Sequence, residues 1–203
     1  MSPLSAQQSI DIPLTPTVGH PTSRFTPAKI QRVFAPLPLS MAHQFTSQEE
    51  PSEDEIQQRQ QQYHQPYHDA LEQQLDRVHQ RHGYVLLYDC HSIRSLVPYL
   101  FEGKLADFNI GTNSGHSCSP GLESAVLTAC VGENNFTHVL NGRFKGGWTT
   151  RHYGNPQAGY HAIQMELAQC NYMLEEAPWS YDIERAEMLR ISLQNILQCI
   201  LKV

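Results

Sequence analysis

The fold is decided by the stretch Tyr84-Val85-Leu86-Leu87-Tyr88, which leads directly into Asp89-Cys90-His91-Ser92-Ile93-Arg94. The first five residues form a short, continuous apolar run that follows Gly83. A run of this kind after a helix predicts a strand that is buried on both faces, as strands of parallel sheets are. Polar and ionisable residues therefore stand at the carboxyl end of a buried strand, which is where open α/β sheets bind their ligands.

A long helix is predicted upstream of this strand, between Ser52 and Gly83. Ser52, with Glu55 three residues on, is typical of an N-terminal cap, and Gly83 is a natural stop. Its buried stripe is expected to consist of apolar positions that recur at spacings of four, four, four and three residues, namely Tyr63, Tyr67, Leu71, Leu75 and Val78. Pro66 is expected to kink the helix or to split it in two. Because the segment is rich in Gln, an interaction module built on residues 55–82 is one alternative.

Strand and helix signals alternate further along the chain. The strand candidates are 107–111, 137–142 and 159–168. One helix opens at Ser119-Pro120 and runs to about Gly132, and the last runs from about 182 to 201 with Asp182 as its cap. The buried face of the last helix is expected to consist of Ile183, Ala186, Leu189, Leu193, Ile196, Leu197 and Ile200. This alternation predicts an α/β layered domain with a mostly parallel sheet flanked by helices.

The composition limits the class of protein. The 203 residues are 40% hydrophobic, which suffices for a core, and the formal net charge of −6 excludes a generic basic nucleic-acid binder and a polybasic membrane-surface protein. No apolar run approaches the length of a bilayer-spanning helix, and the N-terminal residues lack the features of a secretory signal. The five cysteines form no CxxC pair, so a reduced, cytoplasmic chain is expected.

Residues 1–50 differ in character from the rest of the chain. They hold seven of the thirteen prolines, and they show no sustained helical or strand period. Proline can neither donate to a sheet nor continue a helix, so this segment is predicted to be irregular. The folded domain is therefore expected to span residues 51–203.

The densest group of candidate site residues follows the first strand. His91, as a neutral imidazole, can ligate a metal, and a carboxylate such as Asp89 can orient it. Ser92 is a further candidate for supporting His91, and a hydrogen-bonded structural histidine is the alternative. Cys90 and His91 cannot form a nucleophilic dyad on a strand, because neighbouring side chains point to opposite faces.

A second group lies in the glycine-rich stretch 141–154. Four glycines there allow the backbone to approach a ligand or another segment closely. Arg143, Lys145 and Arg151 bring positive charge into an acidic chain. Because a guanidinium binds a carboxylate or phosphate at two points, the stretch predicts an anion-binding loop, with a solvated basic loop as the alternative.

A third group surrounds Glu166. If residues 159–168 form a strand, Gln164 and Glu166 share one face, and the other face carries Ile163, Met165 and Leu167. A partly desolvated carboxylate has a raised pKa and suits general-base work on water. The alternative for Glu166 is a structural ion pair with one of the arginines.

Together, these stretches resemble the N-formylglutamate amidohydrolase (N-formylglutamate deformylase) family. The matching segments are QPYHDAL at 65–71, DCHSIRS at 89–95, DFNIGTNSG at 107–115, LNGRFKGGWTTRHYG at 140–154 and HAIQMELAQCNYM at 161–173. They occur in the order and spacing of the family. The resemblance covers about residues 51–203.

The resemblance implies an α/β hydrolase of the zinc-carboxypeptidase-like layered type, which hydrolyses N-formyl-L-glutamate to formate and L-glutamate in histidine degradation. It also implies a divalent metal, with zinc as the expectation, that activates water. By that likeness His91 would be a metal ligand and Glu166 the general base or acid. The two carboxylates of this small-molecule substrate would be held in a pocket lined by Arg94, Asn113, Arg143, Arg151 and His152.

Residues 1–50 depart from the pattern of the family. Its members carry an upstream strand with a Pro-His-x-Gly type motif and a following acidic ligand, and the nearest text here is Gly19-His20-Pro21. One or more N-terminal strands are therefore expected to be missing. His91 is then one good ligand candidate, whereas a catalytic zinc usually has three protein ligands. The alternative function is a non-catalytic, carboxylate-binding relic of the same family with an incomplete metal site.

Overall fold

The computed structural model describes residues 51–203. The predictions for residues 1–50, including irregular structure and missing strands, fall outside the described residues. The chain divides into two units, Met1–Gln62 and Tyr63–Val203, and of the first only residues 51–62 are described.

The described part of the first unit is a short helix, α1, which spans Glu53–Arg59. The Ser52 hydroxyl accepts a hydrogen bond from the backbone N–H of Glu55 at 3.2 Å, so the predicted cap is confirmed. A π-helical turn, Gln60–His64, follows, and helix α2 spans Gln65–His82. Pro66 stands in the first turn of α2, directly after the π-helical turn, so the regular α-helix is interrupted just before the proline, as predicted. Gly83 closes α2 with a left-handed φ of 77°, as expected.

The second unit combines four strands with four helices, apart from short 3₁₀ turns. After α2, its elements in chain order are β1 (Val85–Ile93), β2 (Phe108–Gly111), α3 (Pro120–Gly132), β3 (His138–Leu140), α4 (Trp148–Tyr153), β4 (Tyr160–Ala168) and α5 (Ile183–Ile200). Ser119 and Asp182 cap α3 and α5 with side-chain oxygens, which confirms both predicted starts. Within the described residues, no helix is long and apolar enough to cross a bilayer.

The strands form one sheet in the order β1-β4-β2-β3. β1 pairs with β4 and β2 pairs with β3 in parallel, whereas β2 and β4 are antiparallel. The sheet is thus mostly parallel and flanked by helices, as predicted. The expectation that the run 84–88 is buried on both faces is wrong, because within the described residues β1 stands at an edge, Tyr84 is exposed, and Leu86, Leu87 and Tyr88 are only partly buried. An apolar run specifies a strand but not its place in the sheet, and the buried interior strands are β4 and β2.

The two faces of the sheet carry different clusters. The larger core packs strand residues such as Phe108, Ile110, Ile163 and Met165 with Val126 of α3 and with Leu189 and Ile196 of α5. The other face carries a smaller cluster of Leu75, Val85 and Tyr153, with contributions from α2 and α4. The second cluster covers only the first half of β1, so the carboxyl end of that strand is left for polar residues.

The predicted stripe on α2 is partly wrong. Tyr63 and Tyr67 are 70% and 59% exposed. The inner positions are instead His64, His68, Leu71, Leu75 and Val78, at spacings of four, three, four and three. Each step of four residues overshoots a full helical turn by about 40°, so a series of such steps leaves the buried face. Steps that alternate between four and three residues stay on that face. On α5, Ile183 and Leu197 are exposed at 71% and 38%, contrary to expectation, and Ser192 is buried instead.

Candidate active site

Strands β1 and β4 bring the first and third groups of predicted residues together. In the parallel register Asp89 lies opposite Gln164, and His91 lies opposite Glu166. Because alternate residues of a strand share a face, and residues in register point to the same side, these four side chains occupy one face of the sheet. They lie beyond the apolar cluster of that face, towards the carboxyl end of β1.

Glu166 is a buried carboxylate with a fixed neighbour. It is 6% exposed, and the Gln164 amide donates to its Oε2 at 3.0 Å. Burial raises the pKa of Glu166, while the nearby His91 and the hydrogen bond from Gln164 oppose that rise. Within the described residues Glu166 makes no ion pair with an arginine. A desolvated carboxyl with a raised pKa has the chemistry of a group that can exchange a proton with water.

The backbone of Glu166 is also held. The side chain of Asn109, which is 1% exposed on the neighbouring strand β2, donates to the Glu166 carbonyl oxygen at 3.0 Å and to Ala106 O at 2.8 Å. This antiparallel pairing places Asn109 opposite Glu166. The position of the carboxylate is thus fixed by strands on both sides.

His91 is the exposed member of the pair. Its side chain is 46% exposed, and its Nε2 lies 3.0 Å from Oδ2 of Asp89, which is 18% exposed. An imidazole with a carboxylate beside it is donor chemistry that suits a divalent metal. Across residues 51–203, however, no three His, Cys, Asp or Glu side chains converge closely enough to hold a metal ion. The described residues therefore fit a metal only in part.

The glycine-rich stretch lies against the same part of the sheet. The backbone N–H of Gly147 donates to Oε1 of Gln164 at 2.6 Å. A Cβ atom on Gly111, at the end of β2, would lie 2.5 Å from the backbone nitrogen of Gly146. The loop thus approaches the sheet backbone to backbone, and Gln164 connects it to Glu166 through a single side chain.

The short helix α4 is held at both of its ends. At its start, Gly147 is bonded to Gln164 as described, and at its end the hydroxyl of Tyr153 lies 2.6 Å from Nδ1 of His68 on α2. Arg151 and His152, two predicted pocket residues, lie on this helix. Arg151 Nη1 donates to the carbonyl oxygen of Gly146 at 2.8 Å, so its guanidinium folds back over the loop.

The other predicted pocket residues lie after β2, in the glycine-rich stretch, after β1 and on α4. The N–H of Asn113 donates to Lys145 O at 2.6 Å, which ties the segment after β2 to the glycine-rich stretch. Arg143 is exposed in that stretch, and Arg94 is partly buried directly after β1. The ring of His152 stacks on Trp148 at 4.1 Å, with its Nε2 3.9 Å from a carboxylate oxygen of Glu72 on α2.

Ser92 lies on the opposite face of β1 from His91, since the two are neighbours in the strand. Its hydroxyl lies 2.8 Å from the hydroxyl of Tyr172.

An open groove of about 590 Å³ lies between α3 and α5, and none of the predicted site residues lines it.

Two features of the site were not predicted as such. Gln164 lies on the face of Glu166, as predicted, but its bridge to Gly147, 17 residues earlier, depends on how the glycine-rich stretch packs against the sheet. Glu123, Thr112 and Asn141 form a polar network next to the loop ends. The signal for Gln164 was a polar residue two positions before Glu166 in an otherwise apolar strand.

The fold and the site define a class of protein: an α/β domain whose sheet presents a buried carboxylate beside an imidazole, under a glycine-rich basic loop. A sequence model of the family described as N-formylglutamate amidohydrolase matches residues 28–173. The chain belongs to the N-formylglutamate amidohydrolase family. The match begins within the segment 1–50, upstream of the point where the resemblance was expected to start.

Similar proteins carry the same description. The chain is 49% identical over 132 residues to an N-formylglutamate deformylase of Pseudomonas aeruginosa, covering 65% of this chain and 50% of that protein. It is 48% identical over 132 residues to one of Pseudomonas putida, covering 65% and 49%. The crystal structure of an N-formylglutamate amidohydrolase from Ralstonia eutropha superposes with a TM-score of 0.64 at 28% identity, covering 74% of this chain and 56% of the other. The chain thus spans about half the length of the curated relatives it matches.

Proposed function

We propose that this chain hydrolyses N-formyl-L-glutamate to formate and L-glutamate. The names of the relatives support the substrate. The observation that carries the proposal is the register of β1 and β4, which sets the buried carboxylate of Glu166 opposite the imidazole of His91.

In this proposal Glu166 is the general base and then the general acid. Its raised pKa suits a carboxylate that accepts a proton from water and passes it to the leaving amine. Gln164 keeps Oε2 of Glu166 in place and leaves Oε1 for the water. Asn109 restrains the backbone of the same residue, so the base needs little reorganisation during the reaction.

The substrate's carboxylates would be held by the basic residues around the loop. Arg94, Arg143 and Arg151 supply the charge, and a guanidinium can bind a carboxylate at two points. Asn113 and His152 are proposed to complete this pocket. The dianionic substrate is thereby matched to a glycine-rich, basic stretch that is hydrogen-bonded to Gln164, the neighbour of Glu166.

A divalent metal, with zinc as the expected ion, is proposed as part of the complete site, with His91 as a ligand and Asp89 beside it. When bound, such an ion polarises an amide carbonyl and makes its bound water more acidic. Since the described residues supply no set of three ligands, none of the proton transfers proposed here depends on the ion. The cytoplasmic location predicted from the cysteines is proposed as well, and all five are unpaired.

A second candidate is a carboxylate-binding relic that no longer turns over its substrate. The observation in its favour is the incomplete set of metal ligands within residues 51–203. It keeps the basic loop, Gln164 and Glu166 but lacks a metal ion to polarise the amide carbonyl. The two candidates make the same prediction for glutamate binding and opposite predictions for formate release.

The test is formate release from N-formyl-L-glutamate with added zinc, together with calorimetry of L-glutamate binding. The wild-type chain is compared with Glu166→Gln and with Glu187→Gln, an exposed control on α5 that pairs with Arg190. We expect turnover by the wild type and the control, and a loss of about 100-fold or more in kcat for Glu166→Gln. Binding of glutamate without formate release would favour the relic. The absence of both glutamate binding and formate release would refute both candidates.

A further inference from the structure

A partly buried polar network joins the two loops that carry Asn113 and Arg143, two of the proposed substrate-binding residues. Its centre is the carboxylate of Glu123, in the first turn of α3. The hydroxyl of Thr112, which is fully buried, donates to Oε2 of Glu123 in a short hydrogen bond. The amide of Asn141 donates to Thr112 Oγ1 at 2.7 Å and lies 3.4 Å from the same Glu123 oxygen. One carboxylate oxygen thus receives donors from the ends of both β2 and β3.

The network also fixes backbone on both sides. Asn141 Oδ1 accepts the backbone N–H of Thr112 at 2.9 Å and that of Ser114 at 3.2 Å. The Thr112 hydroxyl accepts the N–H of Gly115 at 3.1 Å. Consecutive residues with positive φ form this turn, at 51° for Asn113, 55° for Ser114 and 83° for Gly115. Left-handed backbone at non-glycine residues costs energy, so the turn needs these side-chain bonds to persist.

We propose that Glu123 is a positioning residue for the substrate-binding loops. We name residues 112–117 the β2 loop and residues 141–147 the glycine loop. Through Thr112 and Asn141, the Glu123 carboxylate sets the relative placement of the two loops and, with them, of Asn113 and Arg143. The inference rests on the proposed function, because those two residues are proposed to hold the substrate's carboxylates.

The same helix supplies a matched control. Glu133 follows the C-terminal end of α3, and its carboxylate also receives two side-chain donors, the hydroxyl of Ser192 and the amide of Asn195 at 3.1 Å. These partners lie on α5, and neither loop takes part. Loss of the Glu133 carboxylate therefore removes a comparable network, which joins helix to helix and not loop to loop.

The experiment compares Glu123→Ala, Glu123→Gln and Glu133→Ala in the full chain by hydrogen–deuterium exchange, thermal unfolding and kinetics with N-formyl-L-glutamate. Glu123→Ala should speed exchange in both loops and raise KM about tenfold, with a smaller change in kcat, since a hydrogen-bonded carboxylate is lost. Glu123→Gln retains an accepting oxygen and should restore most of both properties. Glu133→Ala should lower thermal stability while loop exchange and KM stay at wild-type values.

If Glu123→Ala does not fold, Thr112→Val replaces it, because valine keeps the shape of the buried side chain and removes its hydroxyl. The inference would be overturned if exchange in the two loops were no faster in Glu123→Ala or Thr112→Val than in Glu133→Ala. An equal rise in KM for the Glu123 or Thr112 variant and for Glu133→Ala would overturn it as well. A wild-type chain without turnover would instead refute the proposed function. The exchange measurement needs no substrate, so it decides the inference in that case too.

Discussion

Replacing Gly111 with alanine should separate the glycine loop from the sheet. The Cβ atom of the new side chain would lie 2.5 Å from the backbone nitrogen of Gly146, 2.8 Å from the carbonyl carbon of Lys145 and 3.0 Å from the Cα atom of Gly146. All three are backbone atoms, so no side-chain rotation relieves the overlap. Gly111 itself lies in β2 with backbone that alanine tolerates, and the effect is therefore one of space alone.

The size of the effect follows from the contacts that the loop must give up. Overpacking of this kind costs about 1–3 kcal/mol. A shift of the loop by about 1 Å also strains the hydrogen bonds from Asn113 N to Lys145 O and from Gly147 N to Gln164, each worth about 1 kcal/mol. We expect Gly111→Ala to lower the free energy of unfolding by about 2–4 kcal/mol. Glutamate binding should weaken as well, since Arg143 moves with the loop and Arg151 is hydrogen-bonded to the loop residue Gly146.

The assay is equilibrium urea unfolding, with Gly132→Ala as the control. Gly132 is the last residue of α3, and a Cβ atom there meets nothing within 4 Å. Alanine at that position should leave stability unchanged or raise it by about 0.5 kcal/mol, because glycine is a poor helix former. A Gly111→Ala chain whose free energy of unfolding lies within about 0.5 kcal/mol of the wild type would refute the close approach of the loop to β2.

Three further predictions concern single groups. Gln164→Leu removes the hydrogen bond that favours the charged form of Glu166, so the pKa of Glu166 should rise further. The acid limb of the pH–rate profile should therefore move to higher pH. An acid limb that does not move would contradict the bridging role of Gln164. Burial, helped by neighbouring imidazoles, lowers the pKa of His68 to about 4, so the unfolded chain binds more protons between pH 6.5 and 4. Urea unfolding should show the free energy of unfolding falling as the pH is lowered across that window, with a shallower fall for His68→Gln. Equal pH dependence in the wild type and in His68→Gln would argue against a lowered pKa of His68. Burial raises the pKa of the Cys130 thiol to about 12. Ellman's reagent should therefore label the exposed Cys199 at once and the buried Cys130 only on unfolding. Rapid labelling of both thiols would rule out a buried Cys130.

Local signals in the sequence predicted the helix ends well. Ser52, Ser119 and Asp182 cap helices because a side-chain oxygen beside free N–H groups is a short-range interaction, and Gly83 ends α2 for a similarly local reason. The place of β1 in the sheet was not predictable in this way. It depends on pairing with β4, which follows in the sequence only after β2, α3, β3 and α4.

The same distinction applies to the site. The period of a strand was enough to put Gln164 and Glu166 on one face, and the hydrogen bond between them follows from it. The opposition of His91 and Glu166 requires the register of two strands, and the Glu123 network requires β2, β3 and α3 to meet. Such contacts are set by tertiary packing, which sequence periodicity does not encode.

The anchoring of α4 at both ends has a consequence for recognition. Arg151 and His152 are carried by a six-residue helix whose first and last turns are fixed to different elements, β4 and α2. A free loop would lose backbone entropy each time it bound an anion, whereas the two anchoring bonds of α4 already order this segment. Discrimination between dicarboxylates of different length would then be governed by the fixed spacing of the charges rather than by how well a mobile segment could adapt.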